Sequence, residues 1–318
     1  MTAADYTFAE PWGATHHVTS LGDGPVHWIH WAGPEDSDAD PMLLVHGLGG
    51  SHLNWLDVGQ AWSKTREVFA VDVRGFGLTP GFPRDTSVLA NRDLVVSFIS
   101  HLIRRPVVLI GNSMGGMISA FVARSRPDLV RATVLVDPAL PLAPVRPDPK
   151  VTARFAVFAV PGLAERAMRR ARNTVPAEMM ARDLIALCFA DESRMQQRLL
   201  DTTVAMARTR GSAEADQGDL ERGFTVAARS LLRILGQRGR YFRMLASIET
   251  PVLLLQGDKD RLVNVAAARD AARRNPHWTY VEFPGVGHTP QLEVPDQVIP
   301  VVEDWLELAL ADDAAAAG

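Results

Sequence analysis

Residues 106–117 read Pro-Val-Val-Leu-Ile-Gly-Asn-Ser-Met-Gly-Gly-Met, and the pattern G-x-S-x-G within them sets Ser113 between an apolar run and a small-residue helix start. A strand that turns abruptly into a helix forces the residue at the turn into a strained conformation, so its neighbours two positions away must be small. Gly111 and Gly115 meet that need, which makes Ser113 the candidate nucleophile. The strain presents the Ser113 Oγ clear of the backbone, while the Met114 N–H, at the helix start, faces developing negative charge.

A serine hydroxyl is a poor nucleophile at neutral pH and needs a base, usually a histidine held by a carboxylate. Of nine histidines, His288 stands out because the loop Pro284-Gly285-Val286-Gly287-His288-Thr289-Pro290 follows an apolar strand, where a side chain reaches the carboxyl end of a sheet. The acid belongs at another strand end. Asp258 and Asp260 follow the run Pro251–Gly257, and Ser113, Asp260 and His288 then stand in the order nucleophile, acid, base. The 28 positions from Asp260 to His288 hold one helix and one strand, which returns the chain to the same edge. Asp137, closing the run Ala132–Val136, is a rival acid, as is Asp258. An oxyanion needs two N–H donors; Met114 offers one and Leu48, in His46-Gly47-Leu48-Gly49-Gly50, the other. His46 reads as a buttress of that loop, and Asp72 and Arg74 as a structural ion pair or turn.

These residues need a scaffold. Short apolar runs at Met42–His46, Val68–Val73, Val107–Ile110, Ala132–Val136, Val252–Gln256 and Thr279–Phe283 are mostly separated by helix-length segments, which predicts a parallel sheet with helices on both faces. His17–Leu21 and Val26–Trp31, around Gly22-Asp23-Gly24-Pro25, predict an antiparallel hairpin. Between Asp137 and Thr250 strand signals lapse and amphipathic helical stretches (Val151–Arg172, Ala177–Arg208, Leu220–Leu245) take over, as expected of an inserted helical cap. Its apolar positions Phe155, Phe158, Met179, Leu184, Phe189, Phe224, Leu231 and Leu235 serve packing or a pocket ceiling. Pro300, inside the last apolar helix, predicts a kink or a late start.

At 318 residues the chain can bury one large α/β domain with an insertion. A net charge of −4 with scattered arginines gives no basic stripe for nucleic acid. The first twelve residues carry no apolar segment and no run of apolar residues is long enough for a membrane span, so a cytoplasmic protein without stable membrane insertion is expected. The single cysteine, Cys188, excludes an internal disulfide, anchors no zinc site alone, and reads as buried packing.

Taken together, His46-Gly47, Asp72-x-Arg74-Gly75, Gly111-x-Ser113-x-Gly115, Gly257-x-x-Asp260 and Gly287-His288 resemble the α/β-hydrolase superfamily over nearly the whole chain. The resemblance implies an α/β-hydrolase fold: a mostly parallel eight-stranded sheet with helices on both faces, its core in residues 1–138 and 248–312, a cap at 139–247 and a flexible tail at 313–318. It selects Asp260, three residues after the glycine, over Asp258, and supports Leu48 as the second oxyanion donor. The epoxide hydrolases and haloalkane dehalogenases of the superfamily use aspartate where this chain has Ser113. The stretch Gly-Asn-Ser-Met-Gly-Gly is similar to that of serine C–C hydrolases of ring-cleavage products, but those carry a proline in the oxyanion loop and a tryptophan after the histidine, where this chain has Leu48-Gly49-Gly50 and Thr289. The expectation is therefore a carboxylesterase acting through an acyl-enzyme on a small to medium apolar ester, as monomer or homodimer, without cofactor or metal. C–C hydrolysis, perhydrolysis, acyl transfer and a ligand receptor are the alternatives. Activity is expected to rise with pH across the ordinary histidine range near roughly 6.5.

Overall fold

Runs of valine, leucine and isoleucine too short for helices become inner strands when both of their faces can be covered. The structure, a computed structural model, describes residues 6–81, 83–141, 157–159, 162–210 and 217–316. Its strands are β1 (Thr15–Leu21), β2 (Gly24–Trp31), β3 (Met42–Val45), β4 (Val68–Val71), β5 (Val107–Asn112), β6 (Val130–Val136), β7 (Val252–Gly257) and β8 (Thr279–Phe283). They form one eight-stranded sheet in the order β1-β2-β4-β3-β5-β6-β7-β8. The β1–β2 hairpin and the β2–β4 pair are antiparallel, and every pairing beyond β4 is parallel.

The helices are α1 (Leu56–Trp62), α2 (Val88–Phe98), α3 (Met114–Ser125), α4 (Leu163–Thr174), α5 (Ala177–Cys188), α6 (Gln197–Arg210), α7 (Gln217–Gly236), α8 (Arg238–Leu245), α9 (Val265–Arg274), α10 (Pro290–Glu293) and α11 (Pro295–Ala316). Side chains alternate across a strand, and here the alternation sorts the core in two. Leu43, Val45, Val71 and Leu109 join Leu94 of α2, Ile118 of α3 and Tyr241 of α8; Met42, Leu44, Val108 and Ile110 join Trp62 of α1 and Val302 of α11.

The parallel strands end level. Val45 pairs with Gly111, Asn112 with Val136, Val136 with Leu255, and Gly257 with Phe283, so the residues that follow each strand share one rim of the sheet.

Helices α4 to α8 lie between β6 and β7. The stretch read as Ala177–Arg208 is two helices, because Asp191 accepts the Ser193 N–H at 3.0 Å and opens a separate 3-10 turn at Glu192–Arg194. The stretch Leu220–Leu245 likewise breaks, at Gln237 after Gly236. Helix α11 begins at Pro295 and continues through Pro300, which forfeits a single backbone donor near the start of a 22-residue helix. Phe158, Phe189 and Leu231 are buried, whereas Met179 and Leu184 face outward. Cys188 is half-buried, in no disulfide, and packed against the second of the two cores. Phe155 and the prolines Pro144, Pro147, Pro149 and Pro161 lie outside the described residues. Among the described residues no helix is long and apolar enough to cross a membrane.

Candidate active site

Ser113 sits between β5 and α3 with φ 55° and ψ −115°, one of three non-glycine residues at positive φ among the described residues. Three backbone hydrogen bonds hold it there: its N–H donates to the Val136 carbonyl at 3.0 Å, and its own carbonyl accepts from Met117 at 3.1 Å and Ala139 at 2.9 Å. Close approach explains the flanking glycines. A Cβ at Gly115 would overlap the Val45 carbonyl, and one at Gly111 the Gly115 carbonyl.

The Met114 N–H opens α3, where the first donors have no intrahelical carbonyl. Opposite it, the loop after β3 presses on Ser113 so closely that a Cβ at Gly47 would lie 3.0 Å from the Ser113 Cβ. His46 is fully buried and fixes that loop. Its Nε2 accepts the Val73 N–H at 3.2 Å, which leaves Nδ1 to donate to the Gly47 carbonyl at 2.8 Å. Both ring nitrogens are thereby engaged, as a buttress requires, and burial lowers the histidine's pKa. Leu48 and Phe224 both pack against a cluster of Phe158, Ala164 and Ala228, with the Phe158 and Phe224 rings 5.4 Å apart.

The Asp260 carboxyl is buried and accepts from four N–H groups. His288 Nδ1 and Gln256 Nε2 reach its Oδ2 at 2.7 and 3.1 Å, and the Leu262 and Val263 N–H groups reach Oδ1 at 2.7 and 2.9 Å. Acceptance by both oxygens fixes the carboxyl, which in turn orients the His288 ring through Nδ1. Asp258, the alternative acid, points elsewhere: its Oδ1 takes the Gly285 N–H at 2.7 Å. Asp137 closes β6 at φ 42° and does reach this group, since polar atoms of Asp137, Asp260 and His288 lie within 4.8 Å of one another.

Ser113 and His288 are linked through their surroundings. Asn112, next to Ser113, donates from Nδ2 to the His288 carbonyl and to the Val136 carbonyl, each at 3.1 Å. Among the described residues no hydrogen bond joins the Ser113 hydroxyl to His288; such contacts in a ligand-free site often shorten only when substrate is bound.

Sequence reasoning missed Glu293, the residue on which the His288 loop and the segment after α5 converge. Its Oε2 accepts from Gly287 at 2.7 Å and from Ala190 at 3.1 Å; its Oε1 accepts from Asp191 and from Arg194, both at 3.1 Å. The His288 N–H adds a 2.6 Å bond to the Cys188 carbonyl at the end of α5. Nothing in the local pattern Thr-Pro-Gln-Leu-Glu marks Ala190, Asp191 or Arg194 as partners, which lie about a hundred residues away in the chain.

Asp72 and Arg74 do not pair with each other. Arg74 reaches Asp23 in the hairpin turn at 2.9 Å. Asp72 instead collects His27 Nδ1 at 2.8 Å, His52 Nδ1 at 2.9 Å and the N–H groups of His52 and Leu78 at 2.7 and 2.8 Å. Burial alone would raise its pKa, but His52 and His27 pull it well below the usual carboxylate range. His27, His52 and Asp72, like Asp137, Asp260 and His288, are close enough to hold a metal ion. Their nitrogen–oxygen separations of 2.7 to 2.9 Å are hydrogen-bond lengths, however, and a shared proton accounts for each contact. A cavity of about 690 Å³ between α2, α3, α7 and α8, lined by Phe121, Ile234 and Tyr241, contains none of the candidate residues.

A parallel sheet whose rim gathers a strained serine after β5, an acid after β7 and a histidine after β8 is the α/β-hydrolase architecture. The alpha/beta hydrolase fold family matches residues 40–295, and the chain belongs to it. Over 288 residues it is 24% identical to the dihydrolipoyllysine-residue acetyltransferase component of the acetoin cleaving system of Pseudomonas putida, covering 90% of this chain and 68% of that one. Over 284 residues it is 25% identical to (E)-2-((N-methylformamido)methylene)succinate hydrolase of Acinetobacter baylyi, covering 86% and 92% of the two chains. A thermophilic esterase from Thermogutta terrifontis superposes with a TM-score of 0.69 at 22% identity over 93% of this chain and 99% of the other.

Proposed function

We propose that the protein is a serine hydrolase that cleaves carboxylic esters of small to medium apolar substrates through an acyl-enzyme on Ser113. The observation that carries the reading is the buried 2.7 Å pair of His288 Nδ1 and Asp260 Oδ2, set on the rim that also bears the strained Ser113 turn. His288 Nε2 takes the hydroxyl proton as Oγ attacks the ester carbonyl. The charge that develops on the carbonyl oxygen is met by the Met114 and Leu48 N–H groups, and His288 then returns the proton to the departing alcohol. A water molecule, deprotonated by the same imidazole, releases the acid and restores Ser113. Asp260 holds the tautomer and offsets the imidazolium charge. No step calls for a cofactor.

The apolar cluster that Leu48 shares with Phe158 and Phe224 supports an apolar substrate. The Acinetobacter relative is named as a hydrolase and the Thermogutta neighbour as an esterase, which agrees with the reaction class. The Pseudomonas relative is named for acetyl transfer, and the same acyl-enzyme would pass its acyl group to an alcohol or thiol that outcompetes water. The test is turnover of p-nitrophenyl esters of graded acyl length by wild type and Ser113→Ala. Wild type should turn over, with an optimum among short to medium chains, and the variant should lose about 10⁴-fold or more. Equal rates for the two proteins would overturn the assignment.

A further inference from the structure

We propose that Asp137 is a positioning residue of this site, a neutral carboxylic acid that donates its Oδ2–H to Asp260 and so sets how strongly Asp260 holds His288. The inference rests on the reading of Ser113, Asp260 and His288 given above. Strand β6 runs between β5 and β7, which places its last side chain between the Ser113 turn and the Asp260 loop. The Asp137 backbone is fixed by its N–H to the Leu255 carbonyl at 2.9 Å, and the side chain has no exposure.

The hydrogen bonds locate the proton. Asp137 Oδ1 accepts from Gln256 Nε2 at 2.8 Å and from the Gly257 N–H at 2.9 Å. Asp137 Oδ2 is buried and has no partner that donates to it among the described residues. Asp260 is occupied on both oxygens by four N–H groups, and one of its carboxyl oxygens lies within 4.8 Å of a carboxyl oxygen of Asp137, with Gln256 Nε2 bonded to both side chains. Two carboxylates cannot share so small a buried space unless a proton stands between them. The oxygen free to carry it is Asp137 Oδ2, and the acceptor in reach is Asp260.

The titratable groups that face Asp137 are Asp260 after β7, His288 after β8 and Glu293 of α10. Two of these three are acids, so the surroundings favour its neutral form. Burial, and after it the Asp260 charge, push the Asp137 carboxyl well above the usual carboxylate range. Gln256 Nε2, which reaches Asp137 Oδ1 at 2.8 Å and Asp260 Oδ2 at 3.1 Å, clamps the two carboxyls together. The pair thus carries one negative charge, drawn partly toward the Asp137 hydroxyl and away from the imidazole.

Asp137→Asn is the discriminating variant. Asparagine tolerates the φ of 42°, keeps the two bonds to its Oδ1 and replaces O–H by N–H as donor. Asp137→Gly, which accepts the same φ and removes the donor, should move the acidic limb of the kcat/KM–pH profile up by about half a unit and lower the plateau, and Asp137→Asn should restore both, the limb to within about 0.3 unit of wild type. Were Asp137 ionised, Asp137→Asn would remove a negative charge beside His288, and the limb would move down by about one unit or more; that result overturns the proposal. Infrared spectroscopy reads the proton without turnover, which separates this inference from the esterase reading. At neutral pH, wild type with ¹³C-aspartate should show a protonated-carboxyl C=O stretch that shifts with the label and is lost in Asp137→Asn. Absence of that band from wild type overturns the proposal even if the variant does not fold. Failure of Ser113 to react with an acylating probe, with the band present, overturns the esterase reading alone.

Discussion

Glu293→Gln tests how the His288 loop is held. The Glu293 side chain has no exposure, and its four acceptor contacts bind Gly287 beside His288, Ala190 and Asp191 after α5, and Arg194. Glutamine sets an NH₂ where one oxygen accepted two N–H groups, so two bonds to a charged acceptor vanish and donor faces donor. Hydrogen bonds to charged groups contribute about 1.5–3 kcal/mol each, so losing two gives about 3–6 kcal/mol. Set against a typical total of roughly 5–15 kcal/mol, that is a large fraction. Urea titration at neutral pH should show the midpoint falling by about 1–2 M for a slope near 3 kcal/mol/M. Because Gly287 precedes the candidate base, kcat/KM should fall by about tenfold or more under native conditions, through displacement of the His288 ring. Arg194→Ala removes only the partly exposed partner of the same carboxylate and should cost under about 1 kcal/mol. A Glu293→Gln protein within about 1 kcal/mol of wild type and unchanged in kcat/KM would refute the reasoning.

The remaining predictions concern protons and packing. The Asp137 pKa is raised on folding, so its contribution to stability is full below the unfolded carboxyl pKa near roughly 4 and is lost as pH rises toward the folded value. Wild-type stability relative to Asp137→Asn should therefore fall by about 1.4 kcal/mol per pH unit above roughly pH 5, and a difference that is flat with pH in urea melts contradicts it. His16 is held down to about 3, first by burial and then by His52 and His27. It stays neutral when folded but protonates when unfolded, so wild type should lose about 0.5–1 kcal/mol relative to His16→Gln between about pH 7.5 and 5.5, a figure reduced for its partial exposure; thermal melts with the opposite trend would contradict it. Gly115→Ala puts a methyl onto the Val45 carbonyl and should destabilise by at least about 3 kcal/mol or prevent soluble expression. A variant with wild-type melting temperature would show that the turn relaxes freely.

What could be read in the chain was what local pattern controls. The run before Gly111, the small residues around Ser113 and the fully apolar strands carry their own steric and burial reasons, and they appear where the spacing put them. The loop after β3 is likewise local, with His46 bonded to the adjacent residue. The supports of the site were not legible, because each is a contact between distant segments. Asn112 meets a carbonyl 176 residues on, Gln256 reaches across to Asp137, and Glu293 binds the segment after α5. Arg74 looked like a partner for Asp72 by proximity in sequence, yet the hairpin brings Asp23 to it and leaves Asp72 to the histidines. The helix breaks at Asp191 and Gln237 depend on single side-chain and glycine effects that hydrophobic periodicity does not register.

The central claim is that Ser113 is an activated nucleophile served by His288. A fluorophosphonate probe, with adducts mapped by mass spectrometry in wild type, Ser113→Ala and His288→Ala, tests it most directly. The account predicts one adduct, on Ser113, formed rapidly in wild type, at least about a hundredfold more slowly in His288→Ala, and not at all in Ser113→Ala. Labelling that persists without Ser113, or that proceeds at the wild-type rate without His288, would contradict it.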